Sequence, residues 1–251
     1  MDSEQLSHTA FFFDFDGTLS AIGPDPEKVR PVDDAPEALA TLVGQCGYCA
    51  VVSARPVEFL ARQLHAVPGL QLHGLYGLEH SADGGATVTT LPAAAPYRPV
   101  IDAAARDAAA DLPGALIEHK GLSCAVHFRN APELADAVER WAVDYAAAHG
   151  LKVQRGRMVV ELKPPVERDK GNVVREVLEE RPGLVGGWFF GDDLGDRPAF
   201  AALAERAGRE PAFLAVRVAV ANPEGDPLSD LADVMLGQPD EVPAVVRRLL
   251  R

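Results

Sequence analysis

From Ala10 to Phe15 the chain is apolar at every position except Asp14, and a second carboxylate, Asp16, follows at once. A strand that is apolar throughout, rather than at every second residue, must be covered on both faces. That requirement points to a parallel sheet between two layers of helix. Similar apolar runs return at 48–53, 187–191 and 213–220, and shorter ones near 70–76 and 86–91. Segments with helical periodicity at 35–45, 56–67, 170–181, 196–208 and 240–251 alternate with them. The expected fold class is therefore α/β, with a Rossmann-like core around a parallel sheet.

The middle of the chain has a different grain. A Pro- and Ala-rich linker at 91–99 leads into a helix at 98–112. The stretches 115–121 and 123–129 then alternate like hairpin strands, a helix follows at 132–149, and a second hairpin turns around Arg155–Gly156. Hairpin, helix, hairpin builds an antiparallel sheet with helices on one face. Pro164 and Pro165 mark the return to the main domain. The chain thus reads as a core of residues 1–92 and 165–251 with a smaller α/β cap domain, residues 93–164, inserted in it.

Two carboxylates at the end of a buried strand need a reason. Asp16-Gly17 could be a simple turn, but that leaves Asp14 in a core without a partner, where charges are paired or bind metal. In an open parallel sheet ligands bind beyond the carboxyl ends of the strands. Ser53 ends one such strand, Asp192 and Asp193 end another with Asp196 close behind, and Lys170 stands just ahead of a helix. Carboxylates crowded on one sheet edge repel each other unless a cation intervenes. Oxygen ligands of this kind suit Mg²⁺, which also takes a phosphate oxygen. One carboxylate can then act as nucleophile and its neighbour as general acid and base, with Ser53 donating to a phosphoryl oxygen and Lys170 offsetting charge.

The net charge of −13 disfavours nucleic acid, while a small sugar phosphate remains an acceptable substrate because local groups decide its binding. The first ten residues lack the pattern of a signal peptide, and no apolar stretch approaches the roughly 18 residues that span a bilayer. The expectation is a cytoplasmic protein with no membrane partner, treated as a monomer. Cys46, Cys49 and Cys124 suggest no disulfide framework. The Cys46-Gly-Tyr-Cys49 spacing resembles a thiol-redox motif, but a helix precedes it and a strand follows, the reverse of the order that activates such a thiol.

The ordered stretches 14–20 (DFDGTLS), 51–56 (VVSARP), Lys170 in DKG and 189–196 (FFGDDLGD) resemble the four motifs of the haloacid-dehalogenase (HAD) superfamily. GLYGLE at 74–79, EHKGLSCAVHFR at 118–129 and GRMVVELKPP at 156–165 are similar to the trehalose-6-phosphate phosphatase family within it. The resemblance implies Asp14 as nucleophile, Asp16 as general acid and base, and Ser53 and Lys170 as phosphate-handling groups. It implies Mg²⁺ held by Asp14, Asp192 and the Asp16 carbonyl, supported by Asp193 and Asp196. Gly17, Thr18, Arg55 and Glu79 would line the substrate site, and Glu118, Lys120, Arg129, Arg157 and Glu161 on the cap would grip sugar hydroxyls. The implied reaction is hydrolysis of trehalose 6-phosphate through an aspartyl-phosphate, in trehalose biosynthesis. The alternative is a related capped phosphatase for sucrose phosphate or a mannosyl phosphate. A signalling receiver domain also gathers aspartates, a hydroxyl and a lysine, but it needs no inserted cap. The chain departs from the family pattern at Ala54, Tyr76, Gly195 and Arg197-Pro198.

Overall fold

The computed structural model describes residues 1–23, 28–222 and 225–251. Helix α1 (Ser3–Ser7), closed by a capping box between Asp2 and Gln5, delivers the chain to β1 (Thr9–Phe13), which is buried at every position. Then come α2 (Ala35–Val43), β2 (Tyr48–Val52), α3 (Val57–Gln63), β3 (Gln71–Gly74), β4 (Glu79–Ser81) and β5 (Thr89–Thr90). The middle contributes α4 (Arg98–Asp111), β6 (Leu116–His119), β7 (Cys124–His127), α5 (Ala135–His149), β8 (Lys152–Gly156) and β9 (Val159–Lys163). The rest is α6 (Lys170–Glu180), β10 (Gly186–Gly191), α7 (Arg197–Arg209), β11 (Leu214–Val220), β12 (Val234–Leu236) and α8 (Glu241–Leu249). Met1–Thr89 and Arg168–Arg251 form one unit, and Thr90–Glu167 form a second.

In the first unit the strands run in the order β12-β11-β10-β1-β2-β3-β4-β5. From β12 to β3 every pairing is parallel, and β4 turns back antiparallel to β3. The alternation of side chains splits each strand between two cores. Phe11, Phe13, Cys49, Val51 and Phe190 pack on one face with Leu39, Leu42, Leu60 and Val246 from α2, α3 and α8. Ala10, Phe12, Ala50, Val52 and Phe189 pack on the other with Val174, Val177, Phe200 and Leu203 from α6 and α7. Neighbouring strands stack their aromatic rings, Phe13 on Phe190 at 4.7 Å and Phe12 on Phe189 at 6.4 Å.

The second unit is an antiparallel sheet in the order β6-β7-β9-β8. Cys124, Val126, Val160 and Leu162 face α4 and α5, whose Ile101, Ala104, Ala108, Val138 and Ala142 complete that core.

Several elements differ from the expectation. The polar N-terminal stretch forms α1, and two three-residue strands join the sheet, β12 at one edge and β4 just inside β5 at the other. The apolar period of α3 runs on to Val67, but the helix stops at Gln63 and His65 and Ala66 turn left-handed, with φ of 54° and 49°. The second hairpin turns at Arg157-Met158, because Gly156 pairs with Val159 and Met158 takes the left-handed conformation at φ 63°.

Phe200 on α7 is buried edge-on to Phe189, 6.1 Å between ring centres. Phe200→Ala should destabilise the protein by about 3–5 kcal/mol, the usual cost of emptying an aromatic site in a core. Urea unfolding would read this as a lower midpoint at unchanged slope.

Candidate active site

Strand β1 lies between β2 and β10, so the chain leaves it toward one side of the sheet and later returns on the other. That reversal opens a crevice at the carboxyl ends of β1 and β10. Asp14 follows β1, and its amide continues the ladder by donating to the Phe190 carbonyl at 2.9 Å. Asp192 follows β10, Ser53 follows β2, and Asn222 stands two residues beyond β11.

The turn after β1 is closed by one carbonyl. Phe15 O accepts from the amides of Thr18, Leu19 and Ser20 at 3.3, 2.9 and 3.0 Å, and from Ser20 Oγ at 3.0 Å. Gly17 takes φ +79°, and a Cβ there would lie 2.0 Å from Asp192 Oδ2. Only a residue without a side chain lets the turn approach Asp192 this closely. Asp192 itself accepts from Thr18 Oγ1 at 3.3 Å and from Asn222 Nδ2 at 2.6 Å.

Lys170 opens α6 behind its cap residue Asp169, which exchanges side-chain and backbone hydrogen bonds with Asn172. Its Nζ lies 2.8 Å from Asp14 Oδ1 and 2.7 Å from Asp196 Oδ1, and all three side chains are buried. The other oxygen of Asp196 accepts from the amides of Asp192 and Asp193 at 2.9 and 3.2 Å. Asp196 therefore anchors the lysine and shapes the loop that carries Asp192. Asp14, Asp193 and Asp196 each offer an oxygen within 4.8 Å of one another.

Burial pushes the Asp14 carboxyl well above the usual range; Lys170 opposes this, and Asp196 and Asp192 add to it. Asp192 is pushed up to about 7, first by burial and then by Asp196 and Asp193. Asp196 is raised by burial too, against the pull of Lys170. Burial also works against the Lys170 charge, yet Asp14 and Asp196 hold the ammonium protonated above the ordinary lysine range. Three buried carboxylates share one ammonium, a formal excess of two negative charges.

Asp16 turns the other way. Arg55 Nε and Nη2 hold its two oxygens at 2.9 Å each, and the guanidinium lies 4.6 Å above the Phe59 ring. Ser53 is buried; its hydroxyl accepts from the Arg55 amide at 3.1 Å, and its backbone bonds His73 O and the Tyr76 amide. Glu79, also buried, accepts from the Val57 amide at 3.1 Å and so caps α3. Ala54 is exposed at the tip of this loop.

In the second unit, register aligns Glu118, Ala125, Glu161 and Gln154 in one row on the face away from the helices. Lys120 lies 3.5 Å from both Glu118 and Glu161. His127 Nε2 meets Glu118 at 2.9 Å, Ser123 donates to Glu161 at 2.6 Å, and Lys163 lies 3.4 Å from Glu161. Arg129 and Arg157 sit at the opposite end of the sheet, exposed, with no hydrogen bond or ion pair among the described residues.

Sequence reasoning did not single out Asn222, Ser123 or Lys163 as site residues, and it placed His127, with His119, only at the cap surface or behind the sugar-gripping groups. Asn222 carries the same signal as Asp192, a polar group just past an apolar strand. The other three follow from the two-residue alternation that puts Glu118 and Glu161 on one face.

The sheet covered by helices on both faces and the carboxylate cluster at its switch point define a HAD fold with an inserted α/β unit. A haloacid dehalogenase-like hydrolase from Bacteroides thetaiotaomicron shares the fold at TM-score 0.64 and 18% identity, over 96% of this chain and 99% of that one. A trehalose-6-phosphate phosphatase related protein shares it at TM-score 0.75 and 21% identity, over 96% of each chain. Residues 12–229 match the trehalose-phosphatase family, and the chain belongs to that family. The trehalose-phosphate phosphatase of Mycobacterium avium (strain 104) is 38% identical over 203 residues, 78% of this chain. The chain spans about half the length of the curated relatives it matches first, 51% and 53%.

Gly17→Ala tests the close approach of the turn to Asp192. A displacement near 1 Å in such a constellation costs about a hundredfold in turnover, so any turnover that this site supports should fall at least that far. The clash with Asp192, added to the about 1–2 kcal/mol of the left-handed backbone, should also lower the urea midpoint, and the loss of turnover should exceed what the remaining folded fraction accounts for.

Proposed function

We infer that the chain is a Mg²⁺-dependent phosphatase that hydrolyses trehalose 6-phosphate to trehalose and phosphate through an aspartyl-phosphate on Asp14. The observation that carries this is the Asp14–Lys170–Asp196 triad, buried at the switch point of a parallel sheet. Family membership supplies the substrate class.

The residues present fit Mg²⁺. The donors are oxygens only, the carboxylates are raised by burial and mutual repulsion, and their excess charge matches a divalent cation. Asp14 and Asp192 would hold it with the Asp16 carbonyl, and Asp193 and Asp196 would shape its surroundings. When bound, Mg²⁺ offsets the charge of the phosphate and polarises one of its oxygens.

Asp14 attacks phosphorus, the bond from phosphorus to the sugar oxygen breaks, and Asp16 gives a proton to the departing alkoxide. Asp16 then takes a proton from water as that water attacks phosphorus, and Asp14 is released with phosphate. Lys170 keeps Asp14 in position, while the Ser53 hydroxyl, Thr18 and the amides after Gly17 are suited to phosphoryl oxygens. The polar face carrying Glu118, Lys120 and Glu161 is assigned to the sugar, with Arg129 and Arg157 as outlying cations. Carboxylates and an ammonium set in a row can take several hydroxyls by charge-assisted hydrogen bonds. Three free cysteines and the absence, among the described residues, of a helix able to cross a membrane support a cytoplasmic location.

Phosphate release from trehalose 6-phosphate, sucrose 6-phosphate, a mannosyl phosphate and p-nitrophenyl phosphate is the direct test. Trehalose 6-phosphate should be preferred, EDTA should abolish turnover, and Mg²⁺ should restore it. Asp14→Asn should lose roughly 10⁴-fold or more, the scale of removing a nucleophile. Full activity in chelator, or a folded Asp14→Asn enzyme of normal rate, would overturn the mechanism. Preference for another sugar would overturn the substrate.

The sugar face makes a separate prediction. Each charge-assisted hydrogen bond is worth about 1.5–3 kcal/mol, so Glu118→Ala, Lys120→Ala and Glu161→Ala should each lower kcat/KM for trehalose 6-phosphate by about tenfold to a hundredfold. Turnover of p-nitrophenyl phosphate should stay within about threefold, because the core groups are untouched. Equal losses on both substrates would assign these residues to folding or motion of the unit instead.

A further inference from the structure

Cys46 and Cys49 take no part in the carboxylate cluster, yet the turn between α2 and β2 brings their sulfurs within hydrogen-bond reach. The Cys46 amide donates to Leu42 O at 2.9 Å and the Gly47 amide to Thr9 O at 3.0 Å. The turn is thereby tied to α2 on one side and to β1 on the other. A Cβ on Gly47 would lie 2.7 Å from the Ser7 carbonyl oxygen, so glycine lets the turn settle against the end of α1. Tyr48 then points into one core, its hydroxyl 2.8 Å from His73 Nε2, and Cys49 points into the other with Phe11 and Val51. Cys46 packs against the core that holds Cys49, but it stays partly exposed while Cys49 is buried. The Cys49 S–H donates to the Cys46 sulfur, and so does the Tyr48 amide.

These contacts make the two thiols unequal. Donation from Cys49 draws the Cys46 thiol below its ordinary range; burial opposes this, and the Tyr48 amide reinforces it. Burial pushes the Cys49 thiol well up, and Cys46 adds to the rise. No helix N-terminus assists, since α2 ends at Val43, so the neighbouring thiol and amide do what a helix dipole does in the opposite order of elements. An accessible thiol stabilised as its anion attacks, and a second thiol beside it resolves the product. We propose that Cys46 and Cys49 form a reversible thiol–disulfide site, separate from the carboxylate cluster, that is oxidised by low-molecular-weight disulfides. The Cys46 thiolate attacks one sulfur of the external disulfide. That S–S bond breaks, and the departing sulfur keeps the electron pair and takes the proton that Cys46 gave up. Cys49 then loses its proton and attacks Cys46 Sγ, and the second external sulfur leaves as a thiol with that proton. The two protein thiols lose two electrons, and the external disulfide gains them. The site lies at the amino end of β2, opposite the end that leads to Ser53.

The test is incubation of the reduced full chain with excess oxidised glutathione, then acid quenching, maleimide labelling in denaturant and peptide mass mapping. The peptide that holds Cys46 and Cys49 should lose two hydrogen atoms and escape the label. Cys124, buried in the second unit, should stay labelled, and dithiothreitol should restore both thiols of the pair. Cys49→Ala should stop at a lasting glutathione adduct on Cys46, because nothing is left to resolve it. Cys46→Ala should react at least about tenfold more slowly, since only buried thiols remain. Cys124→Ala should oxidise like the parent. Absence of an internal disulfide in the parent chain would sink the proposal. So would a glutathione adduct that persists on Cys46 in the parent, equal oxidation of Cys124, or an unslowed reaction in Cys46→Ala.

Discussion

The ammonium of Lys170 occupies the first position of α6, where the helix dipole disfavours a cation and burial removes the water that would solvate it. Asp14 and Asp196, both within 2.8 Å, offset those penalties. Removing one partner of such a buried group leaves an uncompensated charge, which is why breaking these pairs costs far more than a surface ion pair. The arrangement ties three separate pieces of chain together: the end of β1, the start of α6 and the loop after β10. One oxygen of Asp196 takes Lys170 and the other takes two loop amides. The loop that presents Asp192 is therefore positioned by the same carboxylate that holds the lysine.

The two units solve different problems with different sheets. A parallel sheet delivers its polar groups at one edge, where backbone amides and strand ends converge, and this suits a compact, highly charged reacting group. An antiparallel sheet with one covered face instead spreads side chains over its free face at fixed spacing. The row Glu118-Ala125-Glu161-Gln154 has a small residue between two carboxylates, and Lys120 reaches across it. Such a surface offers several separate charged and polar groups rather than one concentrated charge.

The core was legible because its strands are apolar at every position, so Asp14, Ser53 and Asp192 stand out where the runs stop. Strand-end logic then groups them without any knowledge of side-chain contacts. Pairing was not legible: that Arg55 takes Asp16 while Lys170 takes Asp14 and Asp196 depends on rotamers and on the depth of each loop. Strands β4 and β12 are too short to show a period. Helix α3 ends early because His65 and Ala66 must reverse the chain toward β3, and neither residue advertises a left-handed backbone. The hairpin at Met158 hid for the same reason, with Gly156 a more conspicuous but unused turn residue. Arg129 and Arg157 share hairpins with Glu118 and Glu161, and only the register reveals that they lie at the other end of the sheet.

Asp16 raises a requirement that follows from its geometry. In the proposed reaction it must give a proton and later take one, yet Arg55 grips both of its oxygens with parallel hydrogen bonds. A carboxylate held at both oxygens is well oriented, but the lone pairs turned toward Arg55 are taken and only the outer ones remain for a leaving group or a water. Substrate phosphate offers Arg55 a second oxyanion with the same fork geometry, and a guanidinium that shifts toward it frees one Asp16 oxygen. Phe59 supports the guanidinium from one face, 4.6 Å from its ring centre, by the attraction of a cation to an aromatic ring. Binding of the phosphate and release of the acid would then be one movement, so that Asp16 acts only when there is a phosphoryl group to act upon.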